Sequence, residues 1–210
     1  MESLLHRASL LKADGRKLWL FARDPLRFSE GLAPSPLAEA SVAAPHMRYH
    51  PLEGEWVIYA AHRQNRPLTT EAAPDAVVNP LAPSADPSRP TELPEGNWEV
   101  AVFENRFPSL TPGASPPNAA PGAIVAPACG KCEVVVFGQA ATVSLGRLGD
   151  DRVALILEVL AERTRALADD GALYVLPFEN RGAEMGVTLG HPHGQIYAYR
   201  FMPRRQALQT

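Results

Sequence analysis

Proline is distributed very unevenly along this chain. Of the 21 prolines among 210 residues, 18 lie before residue 128, and only Pro177, Pro192 and Pro203 follow. Because proline has no backbone N–H to donate to a ladder, it is kept out of central strands and is common in loops. The pattern predicts long loops in the first two-thirds of the chain and more regular structure after them.

The segments between the prolines predict short strands. Residues 1–45, which include the Pro-, Ala- and Ser-rich stretch 32–45, are expected to form a loosely structured N-terminal arm with a single strand. Residues 46–210 are expected to form the folded domain, with residues 68–95 as a long loop. Apolar or alternating runs predict strands at 17–22, 55–60, 98–103, 133–137, 172–176 and 195–201.

One major helix is predicted after residue 149. Asp150 or Asp151 can cap its start, and Gly171 is a typical stop signal. Apolar and small side chains recur at three- and four-residue spacings and predict one buried face: Val153, Ile156, Leu157, Leu160, Thr164 and Leu167. Strands with a single major helix indicate an α+β fold with a mostly antiparallel sheet.

Composition excludes several classes of protein. A formal net charge of −3 excludes a strongly basic nucleic-acid binder. No apolar run approaches the roughly 20 residues of a membrane span, and the N-terminus lacks a stretch of signal-peptide type, so we expect a cytoplasmic protein. Cys129 and Cys132 could begin a zinc knuckle or a redox pair, but no second ligand pair accompanies them, and we expect ordinary thiols.

The densest chemical signal is GHPHGQ at residues 190–195. In extended backbone, His191 and His193 share a face unless Pro192 bends the chain. Such a pair can bind a metal, transfer protons or act as a nucleophile. The Gln195 amide can donate to an anionic oxygen without titrating, and the glycine before it permits close approach of a ligand. A neutral histidine beside a fixed amide donor suits attack on phosphorus.

HPHGQ, preceded by FENRGAEMG at 178–186, resembles the active-site segment of the galactose-1-phosphate uridylyltransferases, a family of the histidine-triad superfamily. The resemblance continues upstream in family order, with RYHPLEGEWVIYAAHRQNRP at 48–67, RPTELP at 89–94, VFENRFPSL at 102–110 and then EVVVF. The family fold has two histidine-triad-like halves. This chain resembles the first half, which implies that a second-half domain or chain and a homodimer-like assembly complete it.

The resemblance implies a ping-pong reaction. His193 would attack the α-phosphorus of UDP-glucose and release glucose 1-phosphate, leaving a uridylyl-histidine. Galactose 1-phosphate would then accept the uridylyl group and form UDP-galactose. Gln195 would hold the phosphoryl oxygens, and glutamine in place of a third histidine favours transfer over hydrolysis. A related nucleotidyltransferase or phosphorylase with another nucleobase preference, or a non-catalytic nucleotide-binding subunit, are the alternatives.

Further site residues follow from the resemblance. It implies that two arginines approach the phosphate groups, partly across a dimer interface, that an amide and an aromatic residue hold the uridine, and that three residues near HPHGQ contact phosphate or ribose. In the same order these are Arg63 and Arg66, Asn105 and Phe107, and Asn180, Gly186 and Thr188.

The family's metal pattern is missing from this sequence. Many relatives hold a structural zinc through a Cys-x-x-Cys pair, a downstream histidine and the first histidine of HPH. Here the pair falls on Asn79 and Ala82, and the downstream position on Ala141, so only His191 remains. One ligand cannot hold a tetrahedral zinc. We therefore expect no metal or other cofactor, with His191 as a hydrogen-bonding support of its loop.

Overall fold

The computed structural model describes residues 5–28, 31–36, 44–65, 79–84, 86, 88–141, 145–182 and 190–209, with residues 64 and 65 described by their backbone alone. Strands and helices within these residues follow one another in the order β1 (His6–Leu11), β2 (Lys17–Ala22), β3 (His46–His50), β4 (Glu55–Tyr59), β5 (Val100–Glu104), β6 (Val125–Pro127), β7 (Gly130–Val136), α1 (Asp150–Asp169), β8 (Tyr174–Phe178), β9 (His193–Tyr199) and α2 (Arg204–Ala207). Short 3₁₀ turns span Ala61–Asn65 and Leu145–Arg147.

The strands form two antiparallel sheets, which confirms the predicted α+β class. Six strands pair in the order β1-β2-β5-β7-β9-β8, and three pair in the order β4-β3-β6. Two prolines lie inside strands, Pro127 in β6 and Pro177 in β8. Both strands lie at the edges of their sheets, and proline is tolerated there because an edge strand has no neighbour on its outer side that needs a backbone donor.

Helix α1 covers one face of the six-stranded sheet, and its buried side differs in part from the predicted one. Leu157 is 59% exposed, since the helix turns about 100° per residue and its neighbour Ile156 already faces the sheet. Gly149, with no side-chain cap, precedes the helix instead of a capping aspartate. The residues that α1 buries are Leu155, Ile156, Val159, Arg163 and Leu167.

The end of α1 follows the prediction. Gly171 has a φ of +93°, which places it in the left-handed region that favours glycine. Its N–H bonds to Ala168 O, and the N–H of Ala172 bonds to Leu167 O, which is the Schellman arrangement. The chain then turns directly into β8, the strand that pairs with β9.

The expectation of a loosely structured N-terminal segment with one strand is wrong for residues 6–22. The predicted strand β2 is present, but it forms a hairpin with β1 and pairs on its other side with β5. Leu18, Leu20 and Phe21 are fully buried because both faces of β2 are covered. Strands β1, β3 and β6 were not predicted.

Loops cover the face of the six-stranded sheet opposite α1. As predicted, residues 79–95 contain no strand among those described, yet Leu81 and Leu93 are buried against β2 and β5. Buried charges tie this loop to the β1–β2 turn, since the Glu92 carboxylate contacts Lys12 Nζ at 2.8 Å and Arg16 Nη2 at 2.7 Å. The loop is therefore a fixed part of the core. Within the described residues, no helix is long and apolar enough to cross a membrane.

Candidate active site

Strand β9 presents alternate residues to the two faces of the sheet. Ile196 and Ala198 lie in the apolar cluster under α1. His193 and Gln195, which are half-buried, therefore share the opposite, loop-covered face. The register places His193 opposite Val136 of β7, and Gln195 between Val134 of β7 and Phe178 of β8. The two candidate residues thus lie on an interior strand, with His193 paired to β7 and Gln195 paired to both neighbours, which limits how far either can move.

The backbone fixes the tautomer of His193. Its Nδ1 lies 2.7 Å from the carbonyl oxygen of His191. A carbonyl only accepts hydrogen bonds, so Nδ1 carries the proton and Nε2 of the neutral ring keeps its lone pair. A neutral imidazole held in this way can act as a nucleophile or as a base through Nε2.

His191 has different surroundings from His193. It is 2% exposed, with Nε2 2.7 Å from Gly138 O and Nδ1 2.9 Å from the side-chain nitrogen of Asn79. Burial lowers the pKa of His191 because it penalises the charged ring. The two histidines are therefore not an equivalent pair. His191 is a buried, fully bonded ring, and His193 keeps one nitrogen for chemistry.

Asn105 brings the loop after β5 next to β9. Its Nδ2 lies 3.5 Å from Gln195 Oε1, at the outer limit of a hydrogen bond. Its Oδ1 accepts the N–H of Phe107 at 2.8 Å, and its own N–H donates to Cys132 O at 2.8 Å. With Oε1 of Gln195 facing Asn105, the Nε2 end of that amide remains to donate to a ligand.

Arg63, in the first 3₁₀ turn, organises the same loop. Its Nη1 donates to Phe107 O at 3.0 Å, to Ser109 Oγ at 2.8 Å and to Tyr197 OH at 3.2 Å. The structure therefore joins Arg63 to the loop 105–109 and to β9. Its predicted approach to phosphate groups stays a prediction. The contacts of Arg63 with Ser109 and Tyr197 were missed, although the alternation in QIYAY already places Tyr197 on the face of His193.

The remaining predicted residues divide into two groups. Asn180 is half-buried and lies two residues beyond the end of β8, whose Phe178 pairs with Gln195. This pairing brings the chain near Asn180 to the level of the site. Arg66, Gly186 and Thr188 lie outside the described residues.

Gly194 has a different role from the expected one. A Cβ at this position would lie 2.9 Å from Phe137 Cζ and 3.0 Å from the backbone oxygen of Phe178. The close approach that glycine permits is therefore to the core and to β8, and no ligand is needed to explain it. Packing behind Gly194 fixes the strand between His193 and Gln195.

Comparison with known proteins identifies the family. A family profile described as "Galactose-1-phosphate uridyl transferase, N-terminal domain" matches residues 36–203. The chain belongs to this family. Galactose-1-phosphate uridylyltransferase from Thermotoga maritima is 37% identical over 162 residues, which cover 76% of this chain and 48% of the relative. The same enzyme from Streptomyces lividans is 36% identical over 205 residues, which cover 97% of this chain and 51% of the relative.

The chain is also similar to a solved structure and to a relative with a different name. A solved uridylyltransferase structure has a TM-score of 0.61 and 30% identity, over 78% of this chain and 48% of that one. An ADP-glucose phosphorylase from Arabidopsis thaliana is 28% identical over 178 residues, which cover 76% of this chain and 50% of the relative. The chain thus spans about half the length of the curated relatives that it matches.

The zinc site that the family resemblance implies does not fit the residues of this member. Nδ1 of His191 already accepts a hydrogen bond from the Asn79 amide, whose nitrogen has no lone pair for a metal. Ala82 and Ala141 offer no ligand at the other two positions. Among the described residues, no group of three or more His, Cys, Asp or Glu side chains could hold a metal ion.

Proposed function

We propose that this chain is the nucleotide-binding half of a UDP-glucose–hexose-1-phosphate uridylyltransferase and that His193 is its nucleophile. One observation carries the proposal. His193 donates Nδ1–H to a backbone carbonyl, and it lies two residues before Gln195 on the same face of strand β9. Membership of the uridyl transferase family supports this role for the motif.

In the first half-reaction, Nε2 of His193 attacks the α-phosphorus of UDP-glucose. A nitrogen–phosphorus bond forms, the bond from the α-phosphorus to the bridging oxygen breaks, and glucose 1-phosphate leaves with that oxygen. The imidazole ring gains positive charge in this step. The carbonyl of His191, which accepts Nδ1–H at 2.7 Å, stabilises that positive charge with the negative end of its dipole.

The neighbouring residues supply orientation and charge stabilisation. Gln195 donates through Nε2 to a non-bridging oxygen of the α-phosphate. Asn105 and Phe107 hold the uridine, and Arg63 keeps their loop in place through its bonds to Phe107 O and Ser109. Because these groups are bonded to one another before any ligand arrives, little reorganisation opposes the transition state.

In the second half-reaction, a phosphate oxygen of galactose 1-phosphate attacks the uridylyl phosphorus. The bond to Nε2 breaks, UDP-galactose forms, and His193 returns to its neutral state. We propose that a second half, as a domain or as a separate chain, completes the hexose 1-phosphate pocket in a homodimer-like assembly. The expected cytoplasmic location belongs to the same proposal.

A second candidate is a phosphorylase that prefers adenine. The 28% identity to an ADP-glucose phosphorylase is the observation behind this alternative. A histidine nucleophile would serve both uridylyl transfer and adenylyl transfer. A non-catalytic nucleotide-binding subunit is the third reading, and it predicts nucleotide binding without any covalent intermediate.

The test is the intact mass of the purified chain after incubation with UDP-glucose. The proposal predicts a gain of one uridylyl group on His193 and release of one equivalent of glucose 1-phosphate. His193→Ala should abolish the adduct and still bind UDP. His6→Ala, which removes an exposed histidine of β1, is the matched control and should label normally.

The three readings give different results. An adduct that forms only with ADP-glucose would refute uridylyl transfer and support the phosphorylase that prefers adenine. Binding of UDP with no adduct, even when the second half of a relative is supplied, would leave the non-catalytic subunit. An adduct on a residue other than His193 would refute the assignment of the nucleophile.

A further inference from the structure

Asn79 is the first residue of the long proline-rich loop that the structure describes, and both the oxygen and the nitrogen of its side-chain amide are hydrogen-bonded. Its Oδ1 accepts the backbone N–H of Leu81 at 3.0 Å, and its Nδ2 lies 2.9 Å from Nδ1 of His191. Leu81 is 2% exposed in the apolar cluster on the loop-covered face. The amide is therefore anchored to the core on its oxygen side and directed to the histidine on its nitrogen side.

The hydrogen bonds through this amide can run in one direction only. The N–H of Leu81 can only donate, so Oδ1 of Asn79 faces it and Nδ2 donates to His191. Nδ1 of His191 is then an acceptor, and the ring proton is on Nε2. At the other end Gly138 O can only accept, and it takes this proton at 2.7 Å. Both ends of the series independently require the same tautomer of His191.

The His191 ring thereby connects two parts of the protein that are far apart in sequence. Asn79 belongs to the loop before β5, and Gly138 follows β7. The backbone beside the ring is held as well, since Phe137 N–H donates to Pro192 O at 3.3 Å. The carbonyl of His191, which receives Nδ1–H of His193, is thus placed by contacts on both sides.

We propose that Asn79 is a positioning residue that acts through His191. Its amide donates to Nδ1 of His191, selects the Nε2–H tautomer, and so fixes the backbone carbonyl that holds His193. Asn79 performs by hydrogen bonding the support that family resemblance assigns to a zinc ion at this place. It does not touch the substrate. The proposal rests on the proposed function only for its effect on rate, since the tautomer of His191 can be measured without substrate.

The direct test is nuclear magnetic resonance of the full chain labelled with ¹⁵N-histidine. In the unsubstituted protein at neutral pH, His191 should show a proton on Nε2 and an unprotonated Nδ1. Asn79→Asp replaces the donor by a carboxylate that can only accept. His191 should then carry protons on both nitrogens, because Gly138 O still requires Nε2–H and the carboxylate favours Nδ1–H.

The same variants test the link to His193 through the rate of adduct formation. Asn79→Asp and Asn79→Ala should slow adduct formation by about 10- to 100-fold, the loss that is typical when the hydrogen-bond partner of a metal-binding histidine is removed. Binding of UDP should be nearly unchanged. Asn118→Asp makes the same charge change at an exposed position and should match the unsubstituted protein in both measurements.

Two results would overturn the proposal. One is a His191 that is protonated on Nδ1 or on both nitrogens in the unsubstituted protein. The other is an Asn79→Asp variant, folded by circular dichroism, in which the ring signals of His191 do not change. If the unsubstituted chain forms no adduct even when the second half of a relative is supplied, the proposed function fails, while the ring signals still decide the role of Asn79.

Discussion

Replacing Gly194 by alanine tests whether the core behind β9 fixes the site. The added methyl group would lie 2.9 Å from Phe137 Cζ and 3.0 Å from Phe178 O, both closer than ordinary van der Waals contact. The phenyl ring can shift a little, but the carbonyl belongs to the paired strand β8. Inserting a methyl group into a well-packed core costs about 1–3 kcal/mol.

Gly190→Ala is the matched control. Gly190 lies four residues earlier in the same segment, and a Cβ there would meet no atom of the described residues within 4 Å. Either substitution also restricts the unfolded chain, which stabilises a protein by about 0.4–1 kcal/mol where the conformation allows it. This contribution cancels in the comparison. Gly194→Ala should therefore unfold at lower urea concentration, with a free energy of unfolding about 1–3 kcal/mol below that of Gly190→Ala.

The functional effect follows from the position of Gly194. A shift of β9 by about 1 Å would move His193 and Gln195 relative to the loop 105–109, and misplacement of that size can slow a reaction about 10²-fold. We expect adduct formation by Gly194→Ala to be at least 10-fold slower than by Gly190→Ala. Adding Phe137→Leu should recover part of the stability. Equal stability of the two alanine variants would refute the packing argument.

Three further predictions concern buried ionisable groups. Glu133→Ala removes the carboxylate that lies 2.7 Å from the buried guanidinium of Arg163 on α1. The unpaired buried charge should lower the free energy of unfolding by about 3–5 kcal/mol in urea titrations. Burial lowers the pKa of His191, so below about pH 6.5 the unfolded chain binds more protons than the folded chain does. The free energy of unfolding should therefore decrease as the pH is lowered below this value, by at most about 1.4 kcal/mol per pH unit. This contribution should be absent from His191→Gln. Burial raises the pKa of Cys132 to about 11, so iodoacetamide at pH 8 should modify the half-buried Cys129 first, as peptide mapping would show.

Strands with strong apolar character were predictable from the sequence, and strands rich in polar residues were not. The run KLWLFA at 17–22 has the composition of a buried strand and forms β2. Its partner, HRASLL at 6–11, carries exposed polar residues because it is the edge of the sheet. Only its pairing with β2 makes it a strand. HMRYH at 46–50 is the middle strand of its own sheet, and there arginine and histidine hide the periodicity.

The candidate site was predictable where its residues are neighbours in sequence. His193 and Gln195 share a face because they are two residues apart in a strand, and HPHGQ suffices to indicate this. By contrast, Asn79 and His191 are separated by 112 residues, and Arg63 and Tyr197 by 134. Such contacts depend on the strand order and on the path of the proline-rich loop. Local patterns contain neither.

The place of the β1–β2 hairpin in the sheet has a practical consequence for fragments of this protein. The family match begins at residue 36, after both strands of the hairpin. A fragment started there would leave β5 as an open edge, with unpaired backbone groups and the buried side chains of Val100 and Val102 beside it. Exposed edges of this kind pair with other chains. The start of the profile match therefore lies inside the structural unit, and cutting there would produce an aggregation-prone polypeptide.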